Sequence, residues 1–329
     1  MLLFAYCPHI RKGNANRHPI PGRSQCTGEE RLRLNKEESQ AMLADPSRLL
    51  PARSLAAICL IALVSVHLPA QVSAPQSGFV PRAAESASVD IVVQGALDAE
   101  LQPLLAVLKD GREVQLAAWT FWRGKIAGRS VVISRTEVGP INAVAATTLA
   151  ITHFRPRLII NQGTAGANDP DLKVFDIIIG ESTVDYGAFH SMPAKAGEGV
   201  QLSRWSPVVH RLRLDGRARV PFERFPGDEE MTKAALATKY AHGRVLKGII
   251  GSAFEFNREI DRLLWVRKTY GALSEDMESA FAAGTAVGFK TRFLAIRIIS
   301  DSEFYAPQIQ GSAGEYCAAF VLDVIKQVK

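Results

Sequence analysis

The sequence predicts an α/β fold, with a mostly parallel sheet covered by helices on both faces. Three observations predict it. Short apolar runs alternate with segments of helical spacing from Val89 to the C-terminus, the rhythm of strand–helix repeats. Runs such as Phe175–Gly180 and Phe293–Ser300 are nearly continuous in apolar residues rather than alternating, as strands buried on both faces require. The 329 residues are 47% hydrophobic and 22% charged, enough to bury a sizeable core.

Val89–Gln94 is the first expected strand. Asp98–Leu108 follows with Leu101, Leu104, Leu105 and Leu108 at helical spacing. Val131–Ser134 is a strand. Ile141–His153 is a helix that starts behind Gly139-Pro140, the proline suiting a first turn. Leu158–Asn161 is a strand running into a glycine-rich turn at Gly163. Phe175–Gly180 and Val245–Ile250 are strands, Asn257–Tyr270 and Glu275–Gly288 helices, Phe293–Ser300 a long strand and Gly314–Val328 the closing helix. Residues 186–230 are rich in Pro, Gly, Arg and His and break the rhythm. A loop of that length serves as a lid, an oligomer contact or a family-specific insertion.

The N-terminal region is of another kind. Residues 1–41 are polar and Arg-rich. Leu55–Val66 is an uncharged apolar run preceded by Arg48 and Arg53 and followed by Val72-Ser73-Ala74. A basic flank, a short apolar stretch and a small-x-small site make a secretory signal pattern, and the run is shorter than the roughly 20 residues that span a bilayer. The expected organisation is an N-terminal extension and signal peptide at 1–74, with Met42 as a candidate start, a disordered linker at 75–88, and a catalytic domain at 89–329. An exported protein follows, periplasmic or secreted, with no stable membrane insertion once the signal is cleaved.

Composition narrows the partners. The net charge is +6, yet residues 1–74 hold 9 Lys/Arg against 5 Asp/Glu, leaving 30 against 28 for the rest. No basic run remains to track a phosphate backbone, so nucleic acid is not an expected partner. The cysteines are Cys7, Cys26, Cys59 and Cys317. Only Cys317 survives cleavage of the signal, so no intrachain disulfide forms, and no Cys/His cluster suggests a metal. No cofactor is called for.

Ligands of open α/β sheets sit beyond the carboxyl ends of the strands, and four such ends are polar. Gly95-Ala96-Leu97-Asp98-Ala99-Glu100 puts a carboxylate in a first helical turn, where it faces a site or simply favours the helix dipole. Asn161-Gln162-Gly163-Thr164-Ala165-Gly166 offers small residues and backbone N–H groups. Glu275-Asp276-Met277-Glu278 precedes Ser279-Ala280, where capping competes with a functional role. Arg297-Ile298-Ile299-Ser300-Asp301 ends the last strand. Arg297 in so apolar a strand needs a carboxylate partner, and Asp301 stands where an acid is useful.

Singly each signal is weak. In this order and spacing they resemble the methylthioadenosine/S-adenosylhomocysteine nucleosidases of the purine and uridine phosphorylase superfamily, over about Val89–Lys329. The resemblance implies a three-layer α/β/α sandwich around a mixed, partly closed sheet. It implies that Asp301 protonates purine N7, that Glu100 orients and deprotonates the attacking water, and that Glu278 binds ribose hydroxyls with Met277 beside it. It further implies that Phe254 stacks on the base and that the Glu255 backbone meets the base edge. Thr164, Ala165 and Gly166 would line the turn near the purine, with Arg297 and Ser300 completing the substrate-binding set. Carboxylates near the sugar suit an oxocarbenium-like transition state. Relatives of this kind are commonly homodimers.

The chain departs from the family pattern in places. Thr164 replaces a serine, Leu97 a methionine, and Ser252 a common aspartate. The stretch after Tyr186 lacks the family's histidine–aspartate pattern, which leaves the 5′-substituent pocket open. Hydrolysis is the expected reaction, because Glu100 would repel phosphate and serves as a base for water. Phosphorolysis is the alternative if Arg135 and Arg297 both face the site. A catalytically idle nucleoside-binding module is the alternative of another class.

Overall fold

The computed structural model describes residues 88–216 and 218–328. The expected signal segment, the Met42 start and the linker up to residue 87 lie outside the described residues.

The first strand, β1 (Ile91–Gly95), is buried along its whole length. It pairs in parallel with β4 (Arg129–Arg135) on one side and β5 (Leu158–Ala167) on the other. Between β1 and β4 the chain makes helix α1 (Asp98–Ala106) and two strands that the apolar pattern does not announce, β2 (Lys109–Leu116) and β3 (Trp119–Ile126). They form an antiparallel meander with β4. Exposed, charge-bearing β2 ends the sheet, an edge that charge protects from further pairing.

The other half of the sheet closes on itself. β5 pairs with β14 (Arg292–Asp301), β14 with β6 (Ile177–Asp185), β6 with β12 (Val245–Ser252), β12 with β13 (Ala272–Asp276), and β13 with β5 again. The ladder mixes directions: β13–β5 and β14–β6 are antiparallel and the other three pairs parallel. This is the partly closed mixed sheet expected.

Alternation along the strands feeds two cores. Ile91, Val93, Ile133 and Ile160 pack with α1, α3 (Glu229–Ala237) and α6 (Ala313–Gln327). Val92, Val132, Ile159 and Ile178 pack with α2 (Pro140–Phe154) and α5 (Ser279–Gly288). A sheet with apolar residues on both faces and helices on each is the three-layer sandwich. A third cluster, with Tyr186, Ala253 and Val266, seats α4 (Ile260–Tyr270).

Two expectations are corrected. The glycine-rich stretch 161–166 is not a turn: β5 continues through it to Ala167, because β14 and β13 both hydrogen-bond along it. The helix expected from Glu275 starts at Ser279. Glu275 and Asp276 end β13, paired with Gly166 of β5 and Ser252 of β12. Asp276 Oδ1 accepts from the backbone N–H groups of Glu278 and Ser279, both at 3.0 Å, so it caps the helix from the strand before it.

The irregular segment after β6 forms two small hairpins, β7 (Phe189–His190) with β8 (Ser206–Pro207) and β9 (His210–Arg213) with β10 (Arg219–Phe222). It rejoins the main sheet through β11 (Phe225–Pro226), antiparallel to β6. Phe225 is buried and stacks on Phe222 at 5.6 Å. His210 Nε2 lies 2.9 Å from Asp185 Oδ2 at the end of β6.

Candidate active site

A cavity of about 220 Å³ opens where the ends of β1, β5, β13 and β14 converge. Its lining includes Glu100, Thr164, Ala165, Gly166, Glu255, Met277, Glu278, Arg297, Ser300 and Asp301. Ten of the eleven site residues expected from the sequence therefore meet in one place. Phe254 is the exception: it is 69% exposed and absent from the lining, and its ring faces Gly139 instead. Phe256, two residues on, lines the cavity.

Glu100 comes from the first turn of α1 and is buried. Its Oε2 accepts from the backbone N–H groups of Ala96 (2.8 Å) and Leu97 (3.0 Å). Its Oε1 accepts from the Thr164 N–H (2.9 Å) and hydroxyl (3.2 Å). The helix-capping role and the site role thus coexist in one carboxylate.

Glu278 Oε1 accepts from the Gly139 N–H at 2.7 Å. Gly139 holds φ 97° at the start of α2, a conformation that glycine adopts without strain. Burial, reinforced by the charge of Asp276 and opposed by that of Arg297, pushes the Glu278 carboxyl up to about 7.

Arg297 is 2% exposed and finds the carboxylate that its strand demanded. Its Nε donates to Asp276 Oδ2 at 2.6 Å and its Nη2 to Asn161 Oδ1 at 2.6 Å, with Glu278 Oε2 at 3.8 Å. Asp276 also accepts from the Ser252 hydroxyl at 2.5 Å and from the Ser279 hydroxyl. Ser252, standing where an aspartate is common, thus becomes a donor to a neighbouring aspartate. A buried charge satisfied on every side is stable where an unpaired one is not.

Asp301 ends β14 opposite Gly166. The Ser300 hydroxyl donates to its Oδ1 at 2.6 Å. Burial raises the Asp301 carboxyl above the ordinary aspartate range, against the lowering effect of that hydrogen bond. A carboxyl that keeps its proton at higher pH is suited to act as an acid.

Among the lining residues outside the expected set are Glu275, Asn257 and Phe256. Glu275 read as part of a helix cap, and Asn257 as the start of a helix that begins at Ile260. Tyr186 Oη donates to Glu275 Oε2 at 3.1 Å and Asn257 Nδ2 donates to the same oxygen at 2.9 Å. Burial, opposed by these hydrogen bonds, pushes the Glu275 carboxyl up to about 7. Glu255 is ion-paired with buried Arg262 at 3.0 Å, and that guanidinium packs on the rings of Trp265 and Tyr186 at 4.7 and 5.6 Å.

The model of the phosphorylase superfamily matches residues 90–326. The chain belongs to that superfamily. Within it, the relatives are 5′-methylthioadenosine/S-adenosylhomocysteine nucleosidases. The enzyme of Staphylococcus haemolyticus is 29% identical over 245 residues, covering 72% of this chain and 99% of its own. That of Marinomonas sp. is 30% identical over 210 residues, covering 63% of this chain and 83% of its own. The chain is a member of this nucleosidase family. The Neisseria meningitidis nucleosidase, solved with methylthio-immucillin-A, aligns with TM-score 0.59 at 24% identity over 73% of this chain and 99% of that one. Futalosine hydrolase of Helicobacter pylori aligns with TM-score 0.58 at 19% identity, over 73% and 98%. At such identities these two structures speak for the superfamily fold.

Proposed function

We propose that this chain hydrolyses the N-glycosidic bond of a purine nucleoside of the methylthioadenosine/S-adenosylhomocysteine type, releasing free base and a ribose derivative. The observation that carries it is the meeting of Glu100, Glu278 and Asp301 around one cavity, in a chain whose relatives at 29% and 30% identity bear that activity in their names.

In this mechanism Asp301 gives its proton to purine N7. The C1′–N9 bond breaks with its electron pair passing to the base, which leaves neutral. Glu100 takes a proton from water as the water oxygen bonds to C1′. Glu278 holds the ribose hydroxyls, and its negative charge stabilises the oxocarbenium-like transition state.

Hydrolysis rather than phosphorolysis is supported by the two arginines that could have held phosphate. Arg135 is ion-paired with Asp98 and lies over the Trp122 ring. Arg297 is engaged by Asp276 and Asn161. The purified protein incubated with methylthioadenosine, adenosine and inosine, with and without phosphate, tests the proposal. Base release without phosphate supports it, whereas release only with phosphate, yielding a sugar 1-phosphate, overturns it in favour of a phosphorylase. Release from no substrate would favour a binding module.

We further propose that the chain is exported through the Arg53–Ala74 signal and works as a homodimer without membrane insertion. Among the described residues no helix is long and apolar enough to cross a membrane. Val138 on the cavity lining continues into exposed Ile141 and Val144 of α2, an apolar stripe of the kind that a second subunit covers. N-terminal sequencing of the exported fraction and sedimentation of the purified protein test these two points. A mature terminus well upstream of Gln71, or a monomer, would refute them.

A further inference from the structure

Glu275, a carboxyl in the cavity wall, has no part in the reaction above. Glu275 pairs with Gly166 across the β13–β5 ladder, and Asp301 pairs with the same glycine from β14. A Cβ at Gly166 would lie 3.6 Å from Glu275 Cγ and 3.6 Å from Asp301 Oδ2. The two carboxyl groups therefore flank one point of the wall, where the absent side chain leaves room for a flat ligand.

Both side-chain hydrogen bonds to Glu275 end on Oε2, one from Tyr186 Oη and one from Asn257 Nδ2. Asn257 Nδ2 also donates to Tyr186 Oη at 2.9 Å, so the three side chains brace one another. The Asn257 backbone N–H also bonds this carboxyl, in a side chain that lines the cavity and is itself buried. Each carboxylate oxygen accepts more than one hydrogen bond, so a ligand N–H in the cavity can join these donors.

The chemistry of the base decides which N–H. Granting a purine nucleoside in this cavity, as proposed above, with N7 at Asp301, the substituent on C6 projects from the same edge as N7. A second group beside Asp301 thus faces position 6. To the ionised carboxylate a 6-amino group donates, whereas a 6-oxo group presents lone pairs to lone pairs. We propose that Glu275 is a specificity-determining residue whose carboxylate accepts a hydrogen bond from the 6-amino group of the base, selecting 6-aminopurines over 6-oxopurines.

The test compares the purified protein with its Glu275→Leu and Glu275→Gln variants. Calorimetric binding of free adenine and hypoxanthine is measured alongside kcat/KM for 5′-methylthioadenosine and 5′-methylthioinosine. The unsubstituted protein should prefer the 6-amino member by about 100-fold or more, since a site built for a donor rejects the analogue lacking it. Glu275→Leu should shrink that preference by about tenfold or more, mainly through loss of the 6-amino member. Glu275→Gln, whose amide can donate to a 6-oxo oxygen, should shrink it further. An equal loss on both members in the leucine variant, or an unchanged ratio in both variants, would overturn the proposal. Free-base binding needs no turnover. Adenine preference that depends on Glu275 in a protein that cleaves nothing would sustain this inference and overturn the hydrolase proposal instead.

Discussion

The Glu100 carboxylate occupies the space that any side chain at Gly163 would need: a Cβ there would stand 2.7 Å from Oε1 and 2.9 Å from Cδ. The glycine belongs to β5 and the acid to α1, so the strand's missing side chain is what lets the acid reach the Thr164 N–H. Gly163→Ala should push Glu100 off Thr164 and lower kcat by about 100-fold, a loss typical of displacing a reacting group by an ångström. The stability cost should be about 1–3 kcal/mol. Steady-state kinetics with a urea melt check both, and a variant with unaltered kcat would show that Glu100 is not held by this contact.

Asp301→Asn should lower kcat by roughly 10²–10⁴-fold with little change in KM, because the amide fills the same space and supplies no proton. The protonated acid is the active form and burial raises its pKa. Wild-type activity should therefore persist above the ordinary aspartate range and fall as pH rises through the elevated value. That alkaline limb should be missing from the residual activity of the variant. A pH–rate profile of both proteins decides the matter.

Arg297→Met should destabilise the fold by about 3–5 kcal/mol, since it strands Asp276 in the core without its cation. Pairing the change with Asp276→Asn should recover part of the loss, though the asparagine caps α5 less well. Chemical denaturation of the two single variants and the double variant gives the coupling between them.

The hairpin segment after β6 should loosen as pH rises. The hydrogen bond to Asp185 raises the His210 pKa, with burial opposing it. A raised folded value means that the bond's contribution is whole below the ordinary histidine value of 6.5 and fades as pH passes the raised one. Limited proteolysis within 189–222 should accelerate over that window, and His210→Ala should cleave rapidly at every pH. A pH-independent cleavage rate in the unsubstituted protein would sink the idea.

How far the sequence was legible depended on how each residue is used. Val92 and Val93 declared a strand buried on both faces because both neighbours of β1 are strands and both faces carry helices. Lys109–Ile126 declared nothing: its meander is half solvated and rich in charge, so no apolar run marks it. The run through Gly163 and Gly166 looked like a turn because glycine is a turn residue. It is a strand because β13 and β14 close against it and a carboxyl lies over each of those glycines. Asp301, Glu100 and Glu278 could be placed from strand ends and a family resemblance. Phe254 ends against Gly139 at the start of α2, a contact between residues far apart in the chain that local pattern does not announce.

The ring of β5, β14, β6, β12 and β13 has a consequence for how this cavity can fail. β5 is bonded to β1, β13 and β14, and no strand of the ring offers a free edge from which to peel. The amide protons of its buried first half, 158–162, reach solvent only as the ring opens, so isotope exchange there reports global unfolding. The carboxyl-bearing walls share that cooperativity. Warming the protein should therefore leave catalytic geometry intact until the ring opens, and then abolish it in a single step.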